Sequence, residues 1–129
     1  AVETCGYAKW DNLNKLTEVC DLFLYDIKCI TPKLHKDGTG ADNKIILENL
    51  KRLSGSSKII VRIPVIPQFN DNIKEMSKLS YFLKDINIAG VELLPFHSFA
   101  SQKYSSLNLD YKYNNIKMTT NIETLRNLF

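Results

Sequence analysis

The sequence predicts an α/β fold in which parallel strands alternate with helices. Two observations predict it. Short apolar runs, at 22–28, 59–63 and 91–94, are interleaved with stretches whose apolar residues recur at helical spacing. The runs are continuously apolar rather than alternating, the character of parallel strands covered on both faces.

Taken in order, residues 1–4 read as the tail of a strand whose beginning is missing. Leu13, Leu16 and Cys20 predict a short helix starting near Asp11, with Cys20 a small core residue. The run 22–28 is the first full strand. Asp42 or Asn43 can cap the next helix, which carries Ile46, Leu47, Leu50 and Leu53 and stops at Ser54-Gly55. After the strand at 59–63, Asn70 or Asp71 can cap a helix bearing Ile73, Met76, Leu79, Ser80 and Leu83. Past His97 the pattern dissolves into polar residues, until Ile122, Leu125, Leu128 and Phe129 begin a last, uncapped helix. The order is repeated βαβ, and both ends read as cut.

With 129 residues, 44% hydrophobic and 24% charged, the chain suits one domain with one core. Seventeen Lys and Arg alternate with 14 Asp and Glu for a net charge of +3, without a basic stripe, so nucleic acid is not the expected partner. No run approaches the ~18 apolar residues of a membrane span, and the start carries no secretory pattern. Three cysteines, Cys5, Cys20 and Cys29, form no C-x-x-C pair and fit neither a disulfide framework nor a zinc pattern. A reducing cytoplasm is the expected setting.

In parallel α/β folds chemistry gathers at the C-terminal ends of the strands. Each strand here ends in polar groups: Glu3 and Thr4, then Asp26 and Lys28 on one face, then Arg62, then His97, with Glu92 able to face the same way. Such charges need mutual partners or a polar ligand. One reading is a self-satisfied Asp26–Lys28–Glu3–Arg62 network. The other is a site for a zwitterionic ligand, since the ring offers both signs. The tail tyrosines Tyr104, Tyr111 and Tyr113 are candidates for a partner surface, whereas Phe23, Tyr25, Phe69, Phe82 and Phe96 read as packing. His35 reads as a loop histidine with a local hydrogen bond.

Several segments, in order, resemble the activating enzymes of glycyl-radical enzymes, members of the radical-SAM superfamily. Glu3-Thr4-Cys5-Gly6-Tyr7-Ala8-Lys9-Trp10 resembles E-T-C-G-Y-A-x-W. Asp26-Ile27-Lys28, with His35-Lys36 and Thr39-Gly40, resembles D-I-K-x-x-D-x-x-x-H-K-x-x-T-G. Residues 45–53 resemble the I-L-E-N-L-K-x-L helix, residues 62–67 with Asn70-Asp71 resemble R-I-P-V-I-P-G-x-N-D, and residues 93–97 resemble L-L-P-Y-H. The resemblance implies that residues 1–129 are the C-terminal half of a partial (β/α)6, TIM-like barrel domain. It implies S-adenosylmethionine and a 4Fe–4S cluster as cofactors, with Asp26, Lys28, His97 and Arg62 toward S-adenosylmethionine. Glu3 and Asp26 match carboxylates of a monovalent cation site. The implied partners are a glycyl-radical enzyme, whose glycyl loop is the substrate, and a flavodoxin or ferredoxin-type electron donor.

Some positions depart from the family pattern. Thr31 stands where an Asp is usual, Gln68 where a Gly would allow positive φ, and Ala100 and Gln102 where a Gly and a Pro are usual. The family's C-x-x-x-C-x-x-C cluster motif and Gly-Gly-Glu segment do not occur in these residues. Thiolates must hold such a cluster, so this chain alone is not expected to build one. Two other functions are compatible with the pattern: a half-barrel peptide-binding module without catalysis, and a barrel enzyme using Lys28 as a Schiff-base nucleophile. An open edge strand and unburied apolar surface predict marginal stability.

Overall fold

Strand β3 shows most directly how the sequence becomes layers. In the computed structural model, which describes residues 1–96, 100–111, 113, 116 and 120–129, β3 (Ile59–Val65) buries every second side chain. Ile59, Val61, Ile63 and Val65 are fully buried, while Ile60, Arg62 and Pro64 are half-buried. Because strand side chains alternate, the first set faces a helical layer and the second faces the opposite side.

The described residues form one four-stranded parallel sheet in the order β1 (Val2–Thr4), β2 (Phe23–Asp26), β3, β4 (Gly90–Pro95). Register places Phe23 against Ile59, Tyr25 against Val61, and Asp26 against Arg62. Arg62 in turn stands against Glu92. Leu13 of α1 (Trp10–Leu16), Leu50 and Leu53 of α3 (Lys44–Leu53), and Met76 and Leu79 of α4 (Ile73–Leu83) pack with these strands in one core. Truncating a fully buried leucine such as Leu50 to Ala would cost about 2–5 kcal/mol. Among the described residues, all four strands are thus covered by helices on one face only. The expected burial on both faces does not hold among the described residues: Leu24, Ile60 and Leu94 are half-buried, because no described helix covers their side.

The strands and main helices fall where the sequence placed them, with shifts at their ends. Helix α1 stops at Leu16, so Cys20 lies in the turn beyond it, partly buried against the core. The cap of α4 is Asn72, whose side chain accepts the Glu75 N–H at 2.9 Å. Asn70 and Asp71 instead hold the preceding turn, accepting the N–H groups of Ile66 and Gln68 at 2.6 and 2.8 Å. Ile73, read as part of the apolar face of α4, is 52% exposed. Ahead of α3, Asp42 accepts the Lys44 N–H at 2.7 Å while Asn43 turns inward. The last helix, α6 (Ile122–Arg126), has Asn121 at its start and Asn127 as its C-cap.

Two helices went unread. Helix α2 (Pro32–Thr39) carries little apolar periodicity, but Pro32 opens it and Gly40 closes it at φ +81°. That pairing of Pro at the start and Gly at the end was the available signal. His35 therefore lies on a helix, not in a loop. Helix α5 (Ala100–Ser106) carries no apolar periodicity; its Tyr104 ring meets Tyr111 at 5.0 Å between centroids. No helix among the described residues is long and apolar enough to cross a membrane.

Candidate functional site

Parallel pairing brings the strand ends to one edge, and the uncovered face carries the polar groups there. Glu3, Asp26, Arg62 and Glu92 all share that face by register. Arg62 is the hub. Its Nε donates to Asp26 Oδ1 at 2.9 Å, and its two terminal nitrogens donate to the Glu3 carboxylate at 2.9 and 3.1 Å. A planar guanidinium can hold two carboxylates at once, which an ammonium could not do with the same geometry. The Glu3 pairing, then the Asp26 pairing, raise the Arg62 pKa still further and keep it charged. The hydrogen bond and charge of Arg62 hold the Glu3 carboxyl below its usual range. Glu92 faces the same side but is exposed, and Arg62 bonds to the other two carboxylates.

Lys28 lies just past the β2 ladder, whose alternation continues: Ile27 and Cys29 are buried while Lys28 is half-buried. Lys28 and Asp26 line a concavity of about 200 Å³ with Cys5, Tyr7, His35 and Thr39. No ion pair to the Lys28 ammonium occurs among the described residues. A larger hollow of about 580 Å³, between Tyr7–Lys9 and the start of α3, contains none of the strand-end charges; its charged groups are the exposed Lys9, Asp42, Lys44 and Glu48. The smaller one gathers the strand-end groups Asp26 and Lys28. The expected four-residue network is therefore split: Glu3, Arg62 and Asp26 satisfy one another, while Lys28 has no ion-pair partner among the described residues. His97 lies outside the described residues.

His35 is buried; its Nδ1 lies 2.8 Å from the Ala41 carbonyl, which can only accept, so Nδ1 carries the proton. The Thr39 hydroxyl sits 3.0 Å from the same nitrogen. Around the rim, buried amides replace backbone pairing. Asn49 donates to the Gly6 and Ala8 carbonyls at 2.8 and 2.9 Å, holding the loop after β1. Asn43 donates to Cys29 and Ile30, and Asn70 to Lys28 and Pro64. Glu75, also buried, accepts from the loop after β2. Sequence reasoning missed these supports. Asn72-x-x-Glu75 has the spacing of a helix-capping pair, but its carboxylate reaches another loop instead.

The three cysteines are free, and no group of three or more His, Cys, Asp and Glu among the described residues could hold a metal ion. Cys29 is buried, and desolvation first, then the Glu75 charge, push its thiol up to about 12. These thiols do not fit a 4Fe–4S cluster.

No family model matches the chain. It is 39% identical over 134 residues to the trans-4-hydroxy-L-proline dehydratase activating enzyme of Clostridioides difficile, with 100% of this chain and 44% of that protein covered. The chain belongs to the glycyl-radical enzyme activating enzymes. It corresponds to their C-terminal portion. A second member of the family, the isethionate sulfite-lyase activating enzyme of Nitratidesulfovibrio vulgaris, is 37% identical over 131 residues, covering 99% of this chain and 42% of its own length. The chain thus spans less than half the length of these activating enzymes. Its fold matches a crystallised domain of a pyruvate-formate lyase-activating enzyme from Bacteroides vulgatus, with TM-score 0.69 and 23% identity over 84% of this chain and 76% of that one. The partial TIM-like barrel read from the sequence is the fold found.

Proposed function

We propose that this chain is the part of a radical-SAM activase that forms one wall of its S-adenosylmethionine pocket. The observation that supports the reading most is the open Lys28 ammonium beside Asp26 in a concavity at the strand ends. The activity proposed for the whole protein is installation of a glycyl radical on a partner enzyme, with S-adenosylmethionine supplying a 5′-deoxyadenosyl radical and a 4Fe–4S cluster the electron.

The donor set suits a zwitterion. Lys28 offers a compact positive charge to a carboxylate. Asp26 keeps Oδ2 for a hydroxyl or cationic group, since Oδ1 accepts from Arg62. Arg62 holds Asp26 in orientation, and its remaining N–H groups face the same side. His97 is assigned to the same ligand on its motif. Glu3 and Asp26 also remain the proposed oxygen ligands of a monovalent cation, although Arg62 already supplies a positive charge between them. The cluster ligands do not come from the described cysteines, and no step is assigned to them. The same reading carries a glycyl-radical enzyme as partner, a flavodoxin or ferredoxin-type donor, and a reducing cytoplasm.

A nuclear magnetic resonance titration with S-adenosylmethionine tests the wall. Saturable shifts are expected at amides 26–28 and should disappear in Lys28→Ala. Shifts scattered over the surface, or none at saturating ligand, would remove the reading.

A further inference from the structure

The chain from Lys28 to Thr31 has left the sheet: the last ladder bond on this side is Ile27 N–H to the Arg62 carbonyl at 2.9 Å. What replaces the ladder is a set of buried side chains from two other connections. The Lys28 carbonyl accepts from Asn70 Nδ2 at 2.5 Å. The Cys29 and Ile30 carbonyls each accept from Asn43 Nδ2 at 3.0 Å. The Ile30 and Thr31 N–H groups donate to Glu75 Oε1 at 2.7 and 2.8 Å, and the Thr31 hydroxyl donates to Oε2 at 2.6 Å. Five of the six backbone groups from the Lys28 carbonyl to the Thr31 N–H are thus held by side chains, where ladders normally hold them.

Asn70 is the member with the widest reach. It is fully buried and uses all three of its sites in these bonds: one N–H to Lys28, the other to the Pro64 carbonyl at 2.8 Å, and its oxygen to the Ile66 N–H at 2.6 Å. Pro64 and Ile66 flank the end of β3, two and four residues beyond Arg62. One amide therefore ties the segment carrying Lys28 to the strand carrying Arg62. Glu75 clamps the other end of the segment, with Lys78 Nζ 4.0 Å from its carboxylate and 3.2 Å from the Thr31 hydroxyl. A buried carboxylate that accepts this many donors is rigidly placed.

We infer that Asn70 and Glu75 are positioning residues that set where the Lys28 ammonium stands relative to Asp26 and Arg62. They touch no ligand themselves and act through the backbone of 28–31. The inference rests on the cofactor-pocket reading for the purpose of the position, but not for its existence. A side chain on an unpaired loop samples many placements, whereas a pocket needs its charge held to within about half an ångström.

Reductive ¹³C-methylation of the chain's lysines, with the Lys28 signal identified by Lys28→Arg, gives a direct reading. In the native chain that signal should be displaced from those of exposed lysines such as Lys33 and Lys44. Asn70→Ala and Glu75→Gln should each move it to the exposed-lysine position while the other lysine signals stay in place, apart from Lys78, which stands beside Glu75. Where Asn70→Ala does not fold, the isosteric Glu75→Gln decides alone. A Lys28 signal unchanged in a folded variant that has merely lost melting temperature would make the two residues structural and overturn the inference. Titration with S-adenosylmethionine separates the two readings: about tenfold weaker binding in either variant supports both. A native chain that does not bind, but whose Lys28 signal responds to the variants, removes the pocket and keeps the positioning.

Discussion

Asp26 and Arg62 stand directly opposite each other in the parallel register of β2 and β3, and a 2.9 Å hydrogen bond joins their side chains. Register alone brings them to one face; the same guanidinium then extends past β2 to Glu3 on β1. Three strands are cross-linked by one side chain at the edge where the pocket is proposed.

Arg62→Leu should release both carboxylates. The Asp26 part is worth about 1 kcal/mol after allowance for its partial exposure. The Glu3 carboxyl is held below its ordinary value of 4.5 by Arg62, so this pairing stabilises the fold at neutral pH and fades as pH falls below that value. Melting temperatures between pH 3 and pH 6 should therefore decline less steeply in Arg62→Leu than in the native chain. Equal slopes would show that the pair contributes nothing to folding.

Gln68 takes φ +59°, the left-handed conformation for which the family pattern has glycine, and its N–H donates to Asp71 at 2.8 Å. The turn survives the departure, at the cost of steric strain in a residue with a Cβ. Gln68→Gly should stabilise by up to about 1 kcal/mol, strain relief exceeding the added freedom of the unfolded chain. Chemical denaturation would detect it as a higher midpoint with unchanged slope.

Gly6 is required for two reasons. Its φ is +67°, and a Cβ there would lie 1.7 Å from the Tyr25 hydroxyl oxygen, which donates to the Ile46 carbonyl at 2.7 Å. Gly6→Ala should cost more than about 2 kcal/mol, well above the ~1 kcal/mol expected of Tyr25→Phe. A milder loss in Gly6→Ala than in Tyr25→Phe would contradict this packing.

The Thr31 hydroxyl donates to Glu75 Oε2 at 2.6 Å, so the Asp usual in the family would place a second carboxylate against the first. Thr31→Asp should destabilise by ~1–2 kcal/mol, and Glu75→Gln should recover much of it. Additive losses in the double variant would show that the two positions do not interact.

Thiol labelling separates the cysteines. Cys5 and Cys20 are partly exposed, whereas Cys29 is buried with its thiol pushed up to about 12. At neutral pH two of the three cysteines should react quickly, and Cys29 only after unfolding. Anaerobic reconstitution with iron and sulfide should give no cluster absorbance, and stoichiometric labile sulfide would refute that.

The parts of the fold that sequence made legible are those where burial writes a period. Leu50 and Leu53 on α3, or Ile59 to Ile63 on β3, repeat at the spacing their packing demands. Helix α2 and helix α5 bury too little to leave such a trace, and α2 announced itself only through Pro32 and Gly40. The site divides in the same way. Glu3, Asp26 and Arg62 were legible because strand ends are where chemistry gathers, while Asn43 and Asn70 read as helix caps and Glu75 gave no signal of its role.

By itself, then, the sequence determined the order of strands and helices, the face on which Asp26 and Arg62 lie, and the family the motifs point to. These follow from periodicity and chain order, which are local. Only the tertiary structure decided that Arg62 binds both carboxylates while Lys28 pairs with neither, and that Asn70 and Glu75 hold the segment carrying it. The bonds from Asn70 and Glu75 to that segment join groups 42 to 45 residues apart, so they exist only once the strands are paired.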